Sequence, residues 1–258
     1  VARAVLVIAD IGGYTRFMKV HRINLAHAQH IVARLLEAVI DGAGRKLKLA
    51  KLEGDAAFFY ANAPMAKDDA KQVFVSIRNA FLQRRDEMAI NRLCNCDGCT
   101  QAGELKLKFV AHVGEVAFQK VKRYTELAGV DVIIVHRLLK NAVPLSEYVL
   151  MSEALHDEIA PTLGTAASAI EQELEGLGHA RNYYVELDAL SGKHIIDVRP
   201  SFVAKLVGWL RMTWRSLPYF IGLRKACEGF GNMNEVLAIL PTRPSASSLS
   251  QPPSSGEG

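Results

Sequence analysis

The run Ala4-Val-Leu-Val-Ile-Ala9 is the strongest constraint on how this chain can fold. It is apolar without interruption, which reads as a buried strand, and Asp10 leaves its end beside Ile11-Gly12-Gly13. A second segment repeats the arrangement. Leu47 to Leu52 alternates as a strand does, Gly54-Asp55 is a hairpin-turn dipeptide, and Ala56-Ala-Phe-Phe-Tyr60 returns as the paired strand. Each segment therefore carries an aspartate beside glycine at a strand end. Taken singly, an aspartate there is a turn residue or a helix cap. Two of them on neighbouring strand ends, among small residues, form the donor set that a divalent metal and its phosphate ligand require. Glycines at the same points let backbone N–H groups approach phosphate oxygens.

The segments that follow extend the pattern. Ala26 to Ile40 places Ile31, Leu35, Leu36, Val39 and Ile40 at helical spacing and stops at Gly42 and Gly44. Ala66 to about Met88 fits a second helix, with Val73, Phe74, Ile77 and Phe81 on one face. Leu105 to His112 reads as a strand, Val132 to Lys140 as a helix, Tyr148 to Met151 as a strand, and Tyr183 to Leu187 as the last strand. Strand–helix–strand–strand–helix–strand is the split βαβ order.

In that order, the chain resembles the catalytic domain of the class III nucleotidyl cyclases, the family that makes cyclic AMP or cyclic GMP. Asp10-Ile-Gly-Gly-Tyr-Thr15 resembles the first metal-binding motif of that family, and Lys51-Leu-Glu-Gly-Asp55 resembles the segment carrying its second metal aspartate and an adenine-selecting lysine. Phe109-Val-Ala-His-Val-Gly-Glu115, Gly129 to Leu138, Val149-Leu-Met-Ser-Glu-Ala-Leu155 and Gly176 to Val185 are similar to further family segments. The likeness runs from about residue 3 to about residue 188. It implies an α+β, ferredoxin-like (βαββαβ) cyclase fold over residues 1–190, a homodimer, and Mg²⁺ or Mn²⁺ held by Asp10 and Asp55. The substrate it implies is a nucleoside triphosphate, with ATP favoured by Lys51. Gly12 and Gly13 fall at the phosphates, Arg137 falls on the transition-state arginine, and Thr125 or Glu126 falls on the second purine-selecting position.

Other positions depart from the family. Its transition-state asparagine falls on Ile133, whose side chain donates no hydrogen bond, and its phosphate lysine falls about where Glu175 or Leu177 stands. Loss of one preorganised donor typically costs about 10²–10³ in rate. Asp131 and Arg181 are the neighbouring candidates for partial replacement. Two readings follow: an adenylate cyclase, which is a phosphorus–oxygen lyase, or a catalytically inactive cyclase-fold module that binds nucleotide or a partner chain in signalling.

Cys94-Asn-Cys96-Asp-Gly-Cys99 lies between the second helix and the strand Leu105–His112. Thiols at these gaps around an Asp-Gly turn can wrap one Zn²⁺, with Cys227, His112 or a residue of another chain as fourth ligand. The competing reading is a loop of free thiols, and free thiols point to a reducing, cytoplasmic setting. A net charge of +4 is too mild to argue for nucleic acid, and no basic stripe with interleaved aromatics accompanies it. The chain opens directly on its first strand, so no signal peptide is expected.

Beyond Pro200 the resemblance ends. Val203, Val207, Leu210, Trp214 and Leu217 share one helical face, with Lys205 and Arg215 elsewhere, and Pro218 stops the run. The charges argue against a transmembrane span. Packing on the domain or across a dimer is the expected use of this face, and peripheral membrane contact is the less favoured one. Residues 200–240 are accordingly read as an amphipathic helical extension, and 241–258 as a disordered Pro/Ser-rich tail.

Overall fold

The structure is a computed structural model. It describes residues 1–20, 25–64, 67–91 and 101–193, and beyond these residues 202, 203, 206, 207, 209, 210, 213, 214, 217 and 221. The chain divides into two compact units, Val1–Leu217 and Pro218–Gly258; of the second, only Ile221 is described, and it is exposed. Cys94, Cys96, Cys99 and Cys227, residues 222–240 of the expected helical extension and the 241–258 tail all lie outside the described residues.

The first unit is a mixed α+β structure built on one sheet. In chain order its elements are β1 (Ala2–Gly12), α1 (Tyr14–Val20), α2 (Leu25–Ala43), β2 (Lys48–Glu53), β3 (Ala56–Asn62) and α3 (Lys67–Ile90). After a short helical turn at Ala102–Glu104 come β4 (Lys106–Val121), β5 (Tyr124–Ala128), α4 (Val130–Arg137), β6 (Tyr148–Ser152) and α5 (Glu153–Leu163). The last three are β7 (Ser168–Leu174), β8 (Gly178–Glu186) and α6 (Leu187–Ser191). The strand order is β2-β3-β1-β4-β6-β8-β7, with β5 paired to β4 alone. All pairings are antiparallel except β4 with β6.

The apolar run of β1 sits at the centre of this sheet because both of its faces are covered. Val5, Val7, Ala9 and Ile11 point into the larger core, which Leu35 and Val39 of α2, Phe74, Ile77 and Phe81 of α3, and Leu155 and Ile159 of α5 complete. Ala4, Leu6 and Ile8 point to the opposite face, where Phe58, Val110, Tyr148 and Leu150 meet Val135 and Leu138 from the α4 segment. The period of two thus assigns every side chain of β1 to a layer, and it sends Asp10 to the α4 face.

The alternation expected over Leu47–Leu52 is interrupted. Leu49 pairs with Phe59, but Lys51 rather than Ala50 pairs with Phe58, so one residue is inserted as a β-bulge. Beyond it, Lys51 faces the same way as Phe58, and Glu53 the same way as Ala56, both members of the α4-side layer. The strand from Leu105 runs on through Val121 instead of stopping at His112, because its second half pairs with β5 as a two-stranded ribbon. The helix α4 spans Val130–Arg137 in place of Val132–Lys140, and its end closes through Leu139 and Lys140 N–H groups bonded to His136 and Arg137 carbonyls.

Two polar anchors hold the layers in place. Arg78, almost wholly buried in α3, donates to Asp188, Ser191 and the Gly192 carbonyl and so ties down α6. On the other face, His112 Nε2 meets Asp131 Oδ1 at 2.8 Å and His112 Nδ1 meets Ser152 Oγ at 2.7 Å. A ring nitrogen facing a carboxylate carries the proton, so Nδ1 accepts from the Ser152 hydroxyl, which in turn caps α5 by accepting from Leu155 N. Asp131 also accepts from Glu115 N at 2.7 Å, and it seats α4 directly over Gly114.

Candidate functional site

Asp10 and Asp55 converge at one end of the sheet. Asp10 is near the end of β1, paired with Ala56 on one side and Lys108 on the other. Asp55 sits in the β2–β3 turn, which Gly54 makes possible at φ +67°. The Asp55 carbonyl accepts from Ile11 N at 3.2 Å, locking this turn to the strand that carries Asp10. Gly13, at φ +89°, turns the chain from β1 into α1 immediately beyond Gly12. Gly12 lies opposite Lys106.

The electrostatics of the pair are those of two acids short of positive charge. Burial and then the neighbouring Asp10 charge push the Asp55 carboxyl up from 3.8 to about 6. Lys108 Nζ reaches Asp10 Oδ2 at 2.9 Å and supplies one compensating charge. Burial works against the Lys108 ammonium, but its hydrogen bond to Asp10 and the Asp10 charge outweigh this and raise its pKa. Two carboxylates with a single ammonium between them, one of them holding its proton unusually tightly, suit a hard divalent cation with an oxygen donor set. Lys106 and Lys108 also line a cavity of about 270 Å³ with Gly12, Gly13, Glu104, Ser146 and Tyr148. Two lysines, one of them 3.7 Å from Glu147, and the glycine turn thus border one space with a carboxylate at its rim.

Beside this lies a second constellation. Lys51 Nζ pairs with Glu53 at 2.7 Å, and Glu53 is also bridged by His136 Nε2 at 3.0 Å. The His136 Nδ1 donates to the Val132 carbonyl at 2.7 Å, so both ring nitrogens are engaged. Burial raises the Glu53 carboxyl, yet the bonds from Lys51 and His136 outweigh it and hold it below its usual range. His136 stacks its edge on Phe58, with ring centroids 5.0 Å apart. Lys51 is therefore held at the site face by Glu53, on the strand that leads into the Asp55 turn.

The remaining candidates fall elsewhere. Arg137 is paired with Glu175 of the β7–β8 turn, which Lys140 also approaches at 4.0 Å. Glu126 is exposed on the β4–β5 ribbon opposite Gln119. That is roughly 35 Å along β4 from Lys108 at the strand rise of about 3.3 Å per residue, so one chain cannot bring Glu126 to Asp10. Asp131 does not stand in for the missing asparagine, because His112 and Glu115 N already hold its carboxylate. His112 is excluded as a zinc ligand for the same reason, with both ring nitrogens engaged and the side chain buried. Among the described residues, no group of three or more His, Cys, Asp or Glu is placed to hold a metal ion. Sequence reasoning missed Lys108, Glu53 and His136. The signal for Lys108 was available in the alternation Leu105-Lys106-Leu107-Lys108-Phe109, which aims both lysines away from the larger core.

This arrangement sits on a known architecture. The structure is similar to an adenylate cyclase from Trypanosoma brucei in its monomeric state, with a TM-score of 0.53 and 16% identity over 78% of this chain and 95% of that one. It is also similar to the guanylate cyclase domain of RhGC from Catenaria anguillulae in complex with GTP, at TM-score 0.52 and 16% identity, covering 71% of this chain and 95% of that chain. The guanylyl cyclase Cya2 matches at TM-score 0.54 and 14% identity, covering 70% and 90%. The chain has the fold of the nucleotidyl cyclase catalytic domains.

Its sequence kinship lies with another protein. The chain is 42% identical over 206 residues to the uncharacterized protein Rv2561/Rv2562 of Mycobacterium tuberculosis, a match covering 78% of this chain and 94% of that relative, and it belongs to the same family. Residues 32–148 also match the family described as "Protein of unknown function (DUF2652)".

Proposed function

We propose that this protein is a divergent relative of the class III nucleotidyl cyclases whose residues 1–190 bind a metal–nucleoside triphosphate, with ATP the favoured nucleotide. The observation that carries the reading is the convergence of Asp10, Asp55 and Lys108 at one sheet end. The β2-β3-β1-β4 order, antiparallel throughout, supports the split βαβ arrangement of the ferredoxin-like fold for the first half of this domain.

Asp10 and Asp55 would hold Mg²⁺ or Mn²⁺, which when bound neutralises triphosphate charge and acidifies a ribose hydroxyl. The chain's own groups do the rest. Lys108, beside Asp10, and Lys106 would offer their ammonium groups to the phosphate oxygens. The turn at Gly12 and Gly13 lets phosphate come close to the backbone. Lys51, steadied by Glu53, presents its ammonium to the acceptor atoms of a purine.

Cyclisation joins the ribose 3′-oxygen to the α-phosphorus and expels pyrophosphate. It needs donors for the charge that develops at the α-phosphate. Arg137 is the residue for that role and Glu126 the one that would read the purine, both acting across a homodimer, since Arg137 is engaged by Glu175 and Glu126 lies far along the β4–β5 ribbon. Val130 and Ile133, 58% and 49% exposed on α4, provide apolar surface for such a pairing. Ile133 in the asparagine position favours slow turnover, and for this reason the non-catalytic nucleotide-binding reading remains the second one.

The test is cyclic-nucleotide formation and equilibrium nucleotide binding, with ATP and GTP, with Mg²⁺ or Mn²⁺, against Asp10→Ala. Metal-dependent binding that disappears in the variant, accompanied by cyclic product, establishes the enzyme. Binding without product leaves the signalling module. No metal-dependent binding overturns both.

A further inference from the structure

The chain carries a second surface with a chemistry of its own. Phe202, Val203, Leu206, Val207, Trp209, Leu210, Trp214 and Leu217 are helical, and every one of them is exposed, from 43% at Leu217 to 80% at Phe202. Val203, Leu206, Val207, Leu210, Trp214 and Leu217 follow the i, i+3, i+4, i+7 spacing of a single face, and Phe202 and Trp209 widen it. Within the chain, then, this stripe does not take the expected place against the sheet. Large apolar side chains presented together in this way need an apolar surface to meet.

The sequence around the stripe narrows the choice. Lys205, Arg211 and Arg215 are its charged residues, and no Asp or Glu occurs in the sequence between Asp197 and Glu228. A surface made for a second copy of itself would set these cations against one another. An anionic bilayer would meet all of them with opposite charge. Tryptophan at the margin of an apolar face suits the headgroup level, where an amphipathic ring finds both environments. Lys205, Arg211 and Arg215 within the apolar run argue against a crossing, and among the described residues no helix is long and apolar enough to span a membrane. We infer that residues 202–217 form an amphipathic helix that lies in the interface of an anionic lipid membrane and attaches the protein to it peripherally. This inference does not rest on the nucleotide site and can fail or hold without it.

The chain contains two tryptophans, and both are in this segment, so intrinsic tryptophan emission reports on it alone. The full-length protein is mixed with vesicles of phosphatidylcholine, or of phosphatidylcholine with phosphatidylglycerol, and emission and co-sedimentation are read together. Each basic residue near an anionic surface strengthens binding about fivefold. Lys205, Arg211 and Arg215 alone thus set an expected preference for anionic vesicles on the order of a hundredfold at low salt, falling as salt rises. Emission shifts to shorter wavelength as the vesicles are added. Leu210→Glu weakens binding about tenfold or more, and Val207→Ser weakens it less. Arg211→Glu with Arg215→Glu abolishes the preference for anionic lipid.

Three results overturn the inference. The protein stays in the supernatant with unshifted emission at every lipid composition. Emission is already at short wavelength without vesicles and independent of concentration, which places the stripe on the chain's own surface. Or emission and sedimentation mass rise together with protein concentration and Leu210→Glu disperses them, which assigns the stripe to packing between copies.

Discussion

Asp55→Asn separates what the site does for stability from what it does for binding. In the folded chain Asp55 titrates at about 6, against 3.8 for an unperturbed aspartate, through burial first and the Asp10 charge second. Between those values the folded chain holds a proton that the unfolded chain has lost. The stability contribution of this proton is fully present below about pH 3.8 and is lost as pH rises through about 6. The gap corresponds to about 3 kcal/mol at 1.36 kcal/mol per pH unit. Asp55 is only half-buried, and solvent screening lowers this to about 1–2 kcal/mol.

Asparagine cannot ionise, so at pH 7.5 without metal the variant should be the more stable protein. The expected gain in melting temperature is about 2–6 °C for a chain of this size, shrinking to nothing near pH 4. Divalent metal reverses the order. Wild type gains about 2.7 kcal/mol at a hundredfold excess over Kd, whereas the variant gains little. Thermal unfolding from pH 4 to 8, with and without Mn²⁺, reads both effects. A variant less stable than wild type at pH 7.5 without metal would refute the charge argument. Equal stabilisation of both proteins by Mn²⁺ would refute the assignment of Asp55 to the metal.

Other perturbations probe the supports of the site. Lys108→Met leaves Asp10 and Asp55 without their ammonium and should cost about 1–2 kcal/mol at pH 8 in urea unfolding, less as the pH falls through 6 and the pair takes up a proton. Gly114→Ala would put a methyl group 2.1 Å from Asp131 Cγ, and breaking the Asp131 bonds to His112 and Glu115 N should cost about 3 kcal/mol or more. Adding Asp131→Gly should recover part of that loss, and a double variant no better than Gly114→Ala would place the clash elsewhere. Arg78→Met should cost about 2–3 kcal/mol and speed amide exchange at residues 187–192 above all, because Arg78 is what fastens α6.

The positions of both aspartates were legible because each stands near the end of a patterned strand with a turn glycine close by, Gly13 after Asp10 and Gly54 before Asp55. The central strand was legible because burial on both faces removes every polar residue from Ala4 to Ala9. Other parts were hidden for physical reasons. The second half of β4 pairs only with β5, so Gln119 and Lys120 carry no alternation that separates a ribbon from a loop. Lysine at 108 reads as an ordinary solvated strand position until the β1–β4 register sets it opposite Asp10. The bond between Glu53 and His136 joins segments far apart in sequence, and no local rule connects a hairpin turn to that helix. Asp131, a neighbour of the asparagine position on paper, is committed elsewhere by contacts that only the fold reveals.

The inserted residue in β2 has a consequence of its own. Opposed residues share a side, so a regular strand that set Ala50 opposite Phe58 would put Lys51 opposite Ala57. Lys51 and Glu53 would then turn inward toward the helices, and Leu52 would reach the α4 side. The bulge prevents this, because Ala50 absorbs the extra step and leaves Lys51 opposite Phe58. The chemistry of this edge is thus written in parity, and it is kept by a residue that brings no functional group to it.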